Sequence, residues 1–162
     1  GVKMENWRRF FSWLLAGREK EEEGAGAAPS RPLQTEQLPL ETLAYIGDAV
    51  YELSVRTYLV RQGLYRGADL HREAVKRVRA SAQAQKLTQL LGRLTEEERE
   101  LVRRGRNARI GQVPRGARVM EYRYSTALEV LLGYLFLKGE WDRLEEIIAI
   151  LAAEGADGHP GQ

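Results

Sequence analysis

Glu129 and Asp48 are the two carboxylates whose sequence contexts point to chemistry. Glu129 is the only charged residue in the run 127–137, which is apolar all round if it forms a helix. A carboxylate buried in such a helix is costly unless it meets a cation, a metal ion or a hydrogen-bond donor. The sequence therefore leaves two interpretations for Glu129, an ion pair with one of the many arginines or a ligand of a metal ion.

Asp48 lies in a segment whose apolar residues repeat at the helical period, namely Leu43, Ile46, Val50 and Leu53. This pattern predicts a helix with one apolar stripe and places Asp48 on the opposite side. The adjacent Gly47 disfavours a helix by about 1 kcal/mol relative to Ala, so it indicates a close approach by another element. Asp48 is then either an ordinary surface carboxylate or one of two carboxylates, on two packed helices, that share a Mg²⁺ ion.

The composition restricts the possible chemistry. The chain has 162 residues, which suits one domain with a modest core, and it contains no Cys and two His. Disulfides and thiolate metal sites are excluded, a reducing compartment is natural, and the few histidines argue against a His-rich metal site or a His-based triad. Metal-assisted hydrolysis fits these residues better than covalent catalysis does.

Positive charge is concentrated in the middle of the chain. Residues 56–123 contain 17 Lys and Arg against 7 Asp and Glu, whereas the remainder contains 8 against 16. A solvated surface of mixed charge is the common alternative, but this excess is large for it. The distribution predicts a polyanionic partner such as nucleic acid.

The apolar pattern predicts helices and no strand of any length. After the Asp48 segment, helices are expected at 69–91, from Thr95 into the run 103–109, at 122–138 and at 141–151. Thr95 and Glu98 have the capping-box spacing that begins a helix. Gly105 and Asn107 both tolerate left-handed backbone, which predicts a helix end or turn there.

Composition divides the chain into four predicted parts. These are an N-terminal amphipathic helix or extension at 1–20, a flexible linker at 21–37, a folded domain at 38–154 and a disordered tail at 155–162. Pro39 is expected at the start of the first helix of the domain. The apolar run 10–16 is too short to span a membrane, so no membrane partner is expected.

Candidate contacts to a polyanion lie on the 69–91 helix, around Gly105, and in the loop 110–119, which is predicted to be mobile. They are His71, Arg72, Lys76, Arg77, Arg79, Gln83, Arg103, Arg104, Arg106, Asn107, Arg109, Arg115 and Arg118. Lys and Arg neutralise phosphates, and Gln83, one turn after Arg79, would add a hydrogen bond to a sugar hydroxyl. The alternatives are a solvated helix face and, around Gly105, cations placed against a helix dipole.

Three blocks together resemble the catalytic domain of the ribonuclease III family, and within it the short bacterial Mini-III form, which lacks a double-stranded-RNA-binding domain. They are LAYIGDAVYE at 43–52, RRGRNA at 103–108 and YRYSTALEVLLGY at 122–134, in the order of the family. The resemblance extends from about residue 38 to residue 152 and leaves the N-terminal extension outside it.

The resemblance implies an all-α, homodimeric ribonuclease III fold and a Mg²⁺-dependent endoribonuclease that cuts double-stranded RNA. Asp48 and Glu129 are then the catalytic metal pair, Glu129 as a direct ligand and Asp48 as a ligand or the residue that orients the water. Tyr45, Ile46 and Ala49 are candidate dimer contacts, with a role in the core as the alternative. The subgroup's usual role is cytoplasmic maturation of the large-subunit (23S) ribosomal RNA precursor, for which a ribosomal protein is a candidate helper.

The chain departs from the larger ribonuclease III enzymes, which carry further acidic residues in the site. Ala44 and Thr126 stand at two of those positions, as in the Mini-III subgroup. Fewer carboxylates hold Mg²⁺ more weakly, so we expect a requirement for millimolar metal. Glu41, two turns before Asp48, is either an outer helper or an ordinary surface residue.

Two other function classes fit the same sequence. One is a non-catalytic RNA-binding or ribosome-associated module that keeps the fold, and it would bind RNA without cutting it. The other is a helical scaffold whose basic region binds an acidic protein. That scaffold would bind duplex RNA poorly and would show no metal dependence.

Overall fold

Every regular element in the described part of the chain is helical, as predicted. The computed structural model describes residues 8, 9, 11, 14, 15, 33–109 and 111–153. From residue 33 onward the α-helices are α1 (Leu40–Arg61), α2 (Gly67–Val78), α3 (Ala80–Leu90), α4 (Glu96–Asn107), α5 (Val119–Lys138) and α6 (Trp141–Ala153). Two short 3₁₀ turns, Thr35–Gln37 and Leu91–Arg93, precede α1 and follow α3.

Helix α5 is the centre of the fold. Helices α1, α3, α4 and α6 all pack against it, because its sequence is apolar on every side. Its fully buried residues are Ala127, Leu128, Val130, Leu131 and Leu132. A charged group in the middle of this helix is therefore held close to the core.

Helices α1 and α5 touch backbone to backbone at two glycines. A Cβ atom added to Gly47 would lie 1.7 Å from the carbonyl oxygen of Glu129, and one added to Gly133 would lie 1.8 Å from the carbonyl oxygen of Leu43. No other residue fits at either position without moving one helix. The close approach predicted from Gly47 is confirmed, and it defines the crossing of α1 and α5.

The apolar stripe predicted for α1 is partly wrong. Leu43 is buried, but Leu53 is 58% exposed. The buried side of the helix runs instead through Ala44, Gly47 and Tyr51, then through Val55 and Leu59. The small residues decide this face, because only they admit the backbone of α5.

The single helix predicted over 69–91 is also wrong, because the chain breaks at Arg79. That residue has extended backbone (φ −61°, ψ 151°) and separates α2 from α3. In a continuous helix the carbonyl of Val78 would accept the N–H of Ala82. Here the Gln83 side chain supplies the donor, with Nε2 2.6 Å from the Val78 oxygen.

Helix α4 begins with the predicted capping box. The backbone N–H of Glu98 donates to the Thr95 hydroxyl oxygen, and the backbone N–H of Thr95 donates to the Glu98 carboxylate. The helix end predicted around Gly105 and Asn107 is confirmed at Asn107, the last residue of α4, whereas Gly105 itself lies inside the helix. A Cβ atom on Gly105 would lie 3.1 Å from the Cα atom of Ala127, so this glycine permits close packing against α5.

The N-terminal segment contacts the corner between α5 and α6. The ring of Phe11 lies 5.0 Å, edge to face, from that of Phe136. Arg8 forms an ion pair with Asp142 at 2.7 Å. Within the predicted linker, Thr35 is buried in a 3₁₀ turn, so packed structure begins before residue 38. Residues 21–32 and 154–162 lie outside the described part, and the four-part division stays a prediction.

None of the helices in the described part of the chain is long and apolar enough to cross a membrane.

Candidate active site

The crossing of α1 and α5 brings Asp48 and Glu129 together. Gly47 lies directly against the backbone of Glu129, so Asp48 is the residue next to this contact on α1. The negative charge of Asp48 is felt at Glu129, where it contributes to the raised pKa of the Glu129 carboxyl. Two carboxylates that lie 81 positions apart in the sequence are therefore close enough to interact electrostatically.

Glu129 is mostly buried, and it forms no salt bridge with a Lys or Arg anywhere in the described residues. Burial, followed by the charge of Asp48, raises the pKa of its carboxyl to about 7, against a partial opposing effect of the Gln83 side chain. The described residues therefore give no support to the interpretation of Glu129 as one half of an ion pair. No cation among the described residues compensates its negative charge.

Asp48 is more exposed and lies at the open side of the pair. Burial, and then the charge of Glu52 one turn away, raises the pKa of its carboxyl. Glu41 is exposed on the same helix. Among the described residues no cluster of three or more His, Asp or Glu side chains is placed to hold a metal ion.

Ala44 and Thr126, which stand where further acidic residues of the larger enzymes were expected, are buried. Ala44 and Thr126 are both 4% exposed, and the hydroxyl of Thr126 donates to the carbonyl of Tyr122 at 2.9 Å. Neither side chain therefore balances the two carboxylates. A pair of uncompensated carboxylates supplies the hard oxygen ligands that Mg²⁺ binds, so the residues present fit a divalent cation.

Most of the predicted polyanion contacts lie on the surface. The exposed ones are His71, Arg72, Lys76, Arg79, Arg103, Arg104, Asn107, Arg109, Arg115 and Arg118. Three of them are paired with an acid on their own helix: Arg72 with Asp69, Lys76 with Glu73, and Arg103 with Glu100. Such exposed pairs are weak, so these cations remain accessible to phosphates.

Three other candidates have different surroundings. Arg77 is half-buried, with its guanidinium 5.1 Å above the ring of Tyr58, and Arg106 is half-buried beside Asn107. Gln83 is only 3% exposed. A contact between Gln83 and a sugar hydroxyl is therefore wrong for this structure, because the side chain faces α5 and the interior.

The residues predicted at a dimer contact lie away from the core. Tyr45 is 78% exposed, Ala49 is exposed and Ile46 is half-buried. Together with Leu53 they give α1 an apolar outer side opposite the crossing with α5. The alternative of a role in the core does not hold for Tyr45 or Ala49.

Comparison with known proteins agrees with this geometry. The family model for the ribonuclease III domain matches residues 41–140, a span that includes both carboxylates and both crossing glycines. The chain belongs to the ribonuclease III family. The matched span also contains α2 and the arginine-rich end of α4, and it leaves the N-terminal segment outside the ribonuclease III domain.

Curated relatives define the subgroup. The chain is 49% identical to the Mini-ribonuclease 3 of Symbiobacterium thermophilum, over 71% of this chain and 88% of that protein. It is 51% identical to the Mini-ribonuclease 3 of Gloeobacter violaceus, over 72% of this chain and 84% of that protein. The predicted membership in the Mini-III type of ribonuclease III enzyme is confirmed.

The fold is also seen in a solved structure. A crystal structure of a Fusobacterium nucleatum protein matches with a TM-score of 0.67 and 30% identity, over 74% of this chain and 95% of that one. Ribonuclease III nucleases are metal-dependent, which agrees with the uncompensated carboxylates of this site.

Gln83 lies on the inner side of its helix, opposite to the side predicted for a contact with RNA. A signal was present, because Gln83 lies four residues before Leu87 and so shares its face. Leu87 is fully buried, and Gln83, on the same face of the helix, is buried as well.

Proposed function

We propose that this chain is a Mg²⁺-dependent endoribonuclease that cuts double-stranded RNA at the pair formed by Asp48 and Glu129. The observation that carries the proposal is the mostly buried Glu129 carboxylate, which has a second carboxylate beside it and no cation among the described residues. A structural carboxylate in such a position would be paired. An unpaired one, inside a ribonuclease III domain, is suited to bind metal.

The two carboxylates have distinct roles in this proposal. Glu129 is held rigidly by the central helix α5 and acts as a direct ligand of the ion. Asp48, at the open side, is a second ligand or orients the attacking water. When bound, Mg²⁺ would stabilise charge on the phosphoryl oxygens and lower the pKa of water. Because only two carboxylates contribute, millimolar Mg²⁺ is expected to be required.

The exposed cations on α2, at the end of α4 and in the loop before α5 are proposed to contact the RNA backbone. A-form RNA offers phosphates and 2′-hydroxyls in a wide, shallow minor groove, so recognition would depend mainly on shape. Contacts of this kind release counterions, which makes binding fall steeply with salt. Duplex binding that hardly changed between low and physiological salt would argue against this part of the proposal.

We also propose that the enzyme acts as a homodimer through the outer side of α1, around Tyr45, Ile46 and Ala49. Two sites facing one duplex would then cut both strands and leave short 3′ overhangs. The proposed setting is the cytoplasm, and the proposed substrate is the 23S ribosomal RNA precursor, with a ribosomal protein as a candidate helper. The exposure of Tyr45 supports the choice of this surface.

The decisive experiment is cleavage of a long perfect RNA duplex in millimolar Mg²⁺. We expect the wild type to cut, and Asp48→Asn and Glu129→Gln to bind the duplex but lose at least about 10³-fold in rate, because each removes a metal-holding charge. Glu41→Gln, which removes the charge of an exposed residue on α1, is the matched control and should keep its activity.

Other outcomes separate the competing functions. If the wild type and all variants bind duplex RNA but none cuts, the protein is an RNA-binding module. If none binds, the basic surface serves a different partner.

A further inference from the structure

Arg77 differs from the other Lys and Arg residues of helix α2. Arg72 and Lys76 are exposed, and each forms an ion pair with an acid on the same helix, Asp69 and Glu73 respectively. Arg77 is half-buried and forms no ion pair with an Asp or Glu of the described residues. A half-buried cation without a carboxylate retains a charge that an anionic ligand can use.

Two tyrosines of α1 hold Arg77 in place. Its guanidinium carbon lies over the ring of Tyr58, 5.1 Å from the ring centre. The hydroxyl of Tyr51 donates to the backbone carbonyl of Arg77 at 3.3 Å, in the last turn of α2, where helix carbonyls lack partners. Stacking on an aromatic ring restricts the plane of a guanidinium. The direction of the Arg77 side chain is therefore set before any ligand binds.

The nitrogen atoms of the Arg77 guanidinium have different surroundings. Nε is buried and forms no hydrogen bond with a described residue. The terminal nitrogens Nη1 and Nη2 also form no hydrogen bond with a described residue, but they are not buried as Nε is. The accessible edge of the guanidinium thus presents two NH₂ groups side by side. This arrangement can donate to two oxygens of one phosphate.

We propose that Arg77 and Tyr58 form a phosphate clasp, in which Arg77 binds one phosphate of the RNA backbone and Tyr58 is the positioning residue that fixes its guanidinium. Tyr58 lies ten residues after Asp48 on α1, which is about 15 Å along the helix axis. The phosphate bound by the clasp is therefore a different one from the phosphate that is cut. This inference rests on the proposed function, because the clasp binds the same duplex as the two carboxylates.

The central test compares the same substitution at two positions of α2. Arg77→Lys keeps the positive charge but removes the planar guanidinium, and Arg72→Lys makes this change at an exposed position. The readout is the affinity for a short perfect RNA duplex, measured by fluorescence anisotropy in metal-free buffer. We expect Arg77→Lys to weaken binding about 5-fold or more and Arg72→Lys to change it by less than about 2-fold, because a point charge is sufficient at residue 72.

The salt dependence of binding separates charge from geometry. Arg77→Gln removes one phosphate contact and should make the slope of log affinity against log salt concentration shallower by about one unit. Arg77→Lys should keep the slope of the wild type. In cleavage assays both variants should raise KM for the duplex without changing kcat or the Mg²⁺ requirement, because the clasp is remote from the scissile phosphate.

Tyr58→Leu tests the positioning role, because it keeps an apolar side chain but removes the ring. It should weaken duplex binding about as much as Arg77→Lys, and the double variant should lose no more than either single variant. Losses that add would show that the two residues act independently and would overturn the clasp. If Arg77→Gln does not fold, Arg77→Lys and Tyr58→Leu provide the same comparison.

Three other outcomes are decisive. If Arg77→Lys binds the duplex as the wild type does, the clasp is wrong. If the Arg77 variants lower the melting temperature and leave duplex affinity unchanged, Arg77 only supports the packing of α1 and α2. If the wild type itself does not bind duplex RNA, the proposed function fails and the clasp fails with it.

Discussion

Two buried glutamates on neighbouring helices of this protein have opposite surroundings. Glu98, on α4, is 8% exposed and receives hydrogen bonds from Arg143 through Nε at 2.9 Å and Nη2 at 2.8 Å. The backbone N–H of Thr95 donates to it as well. Burial alone would raise the pKa of the Glu98 carboxyl, but these donors hold it below its ordinary value.

Glu129, on α5, has burial without an equivalent set of donors, and the pKa of its carboxyl rises to about 7. The charge of the Glu98 carboxylate is thus compensated by Arg143, whereas no cation among the described residues compensates the charge of Glu129. Glu98 fastens the start of α4 to α6. Glu129 retains a charge that a ligand can use, at a cost to the stability of the metal-free fold.

The largest expected effect comes from destroying the crossing that holds Glu129. Gly47→Ala places a Cβ atom 1.7 Å from the Glu129 carbonyl oxygen, so α1 and α5 must separate. We expect the free energy of unfolding to fall by more than about 3 kcal/mol, beyond the usual cost of overpacking, because the obstacle is backbone. Urea denaturation measures this change.

Gly67→Ala is the control, because a Cβ atom there meets nothing within 4 Å. It should be neutral or slightly stabilising. If Gly47→Ala were tolerated as well as Gly67→Ala, the backbone contact at the crossing would be wrong.

The next largest effect tests the paired glutamate. Glu98→Gln removes the charge that Arg143 binds and should lower the free energy of unfolding by about 2 kcal/mol at pH 7. Because the folded pKa of Glu98 is depressed, its contribution is present above the unfolded value of 4.5 and is lost as pH falls through the folded value. Glu97→Gln, at an exposed neighbouring position, should change stability by less than about 0.5 kcal/mol.

Sequence patterns predicted the local features at Glu98 and Glu129 better than the tertiary contacts of these two residues. The capping box of Thr95 and Glu98, the close approach at Gly47 and the isolated charge of Glu129 are all visible in short windows. Arg143 lies 45 residues from Glu98, so that ion pair depends on tertiary packing and no local pattern announces it.

The predictions from sequence were wrong where small residues or a helix break determine how the helices pack. Hydrophobicity alone favoured Leu53 as a buried residue of α1, whereas the actual crossing selects Gly47 and Ala44. The break at Arg79 lacks Gly or Pro, and it turns Gln83 inward. These outcomes follow from the contact with α5, which a single helix pattern does not contain.

The unpaired glutamate should respond in the opposite direction to the paired one. Glu129→Gln is expected to raise the free energy of unfolding by about 1–2 kcal/mol at pH 8 in metal-free buffer, because it removes a buried charge. The folded pKa of about 7 lies above the ordinary 4.5, so charging destabilises the fold as pH rises through this window. The gain should vanish near pH 4.5, and a destabilised variant at pH 8 would show that a cation compensates the charge of Glu129.

The smallest effect is expected at the ion pairs of Arg8. Its Nη2 atom lies 2.7 Å from Asp142 Oδ1 and 3.0 Å from Glu145 Oε2, both on α6. Asp142 is highly exposed, so water and salt screen this contact, unlike the one at Glu98. We expect Arg8→Ala to lower the melting temperature by no more than about 2 °C and the difference to disappear in 1 M NaCl. Arg9→Ala, at an exposed neighbouring position, is the matched control. A loss as large as that of Glu98→Gln, or one that persists in high salt, would mean that Arg8 fastens the N-terminal segment as firmly as Arg143 fastens α4.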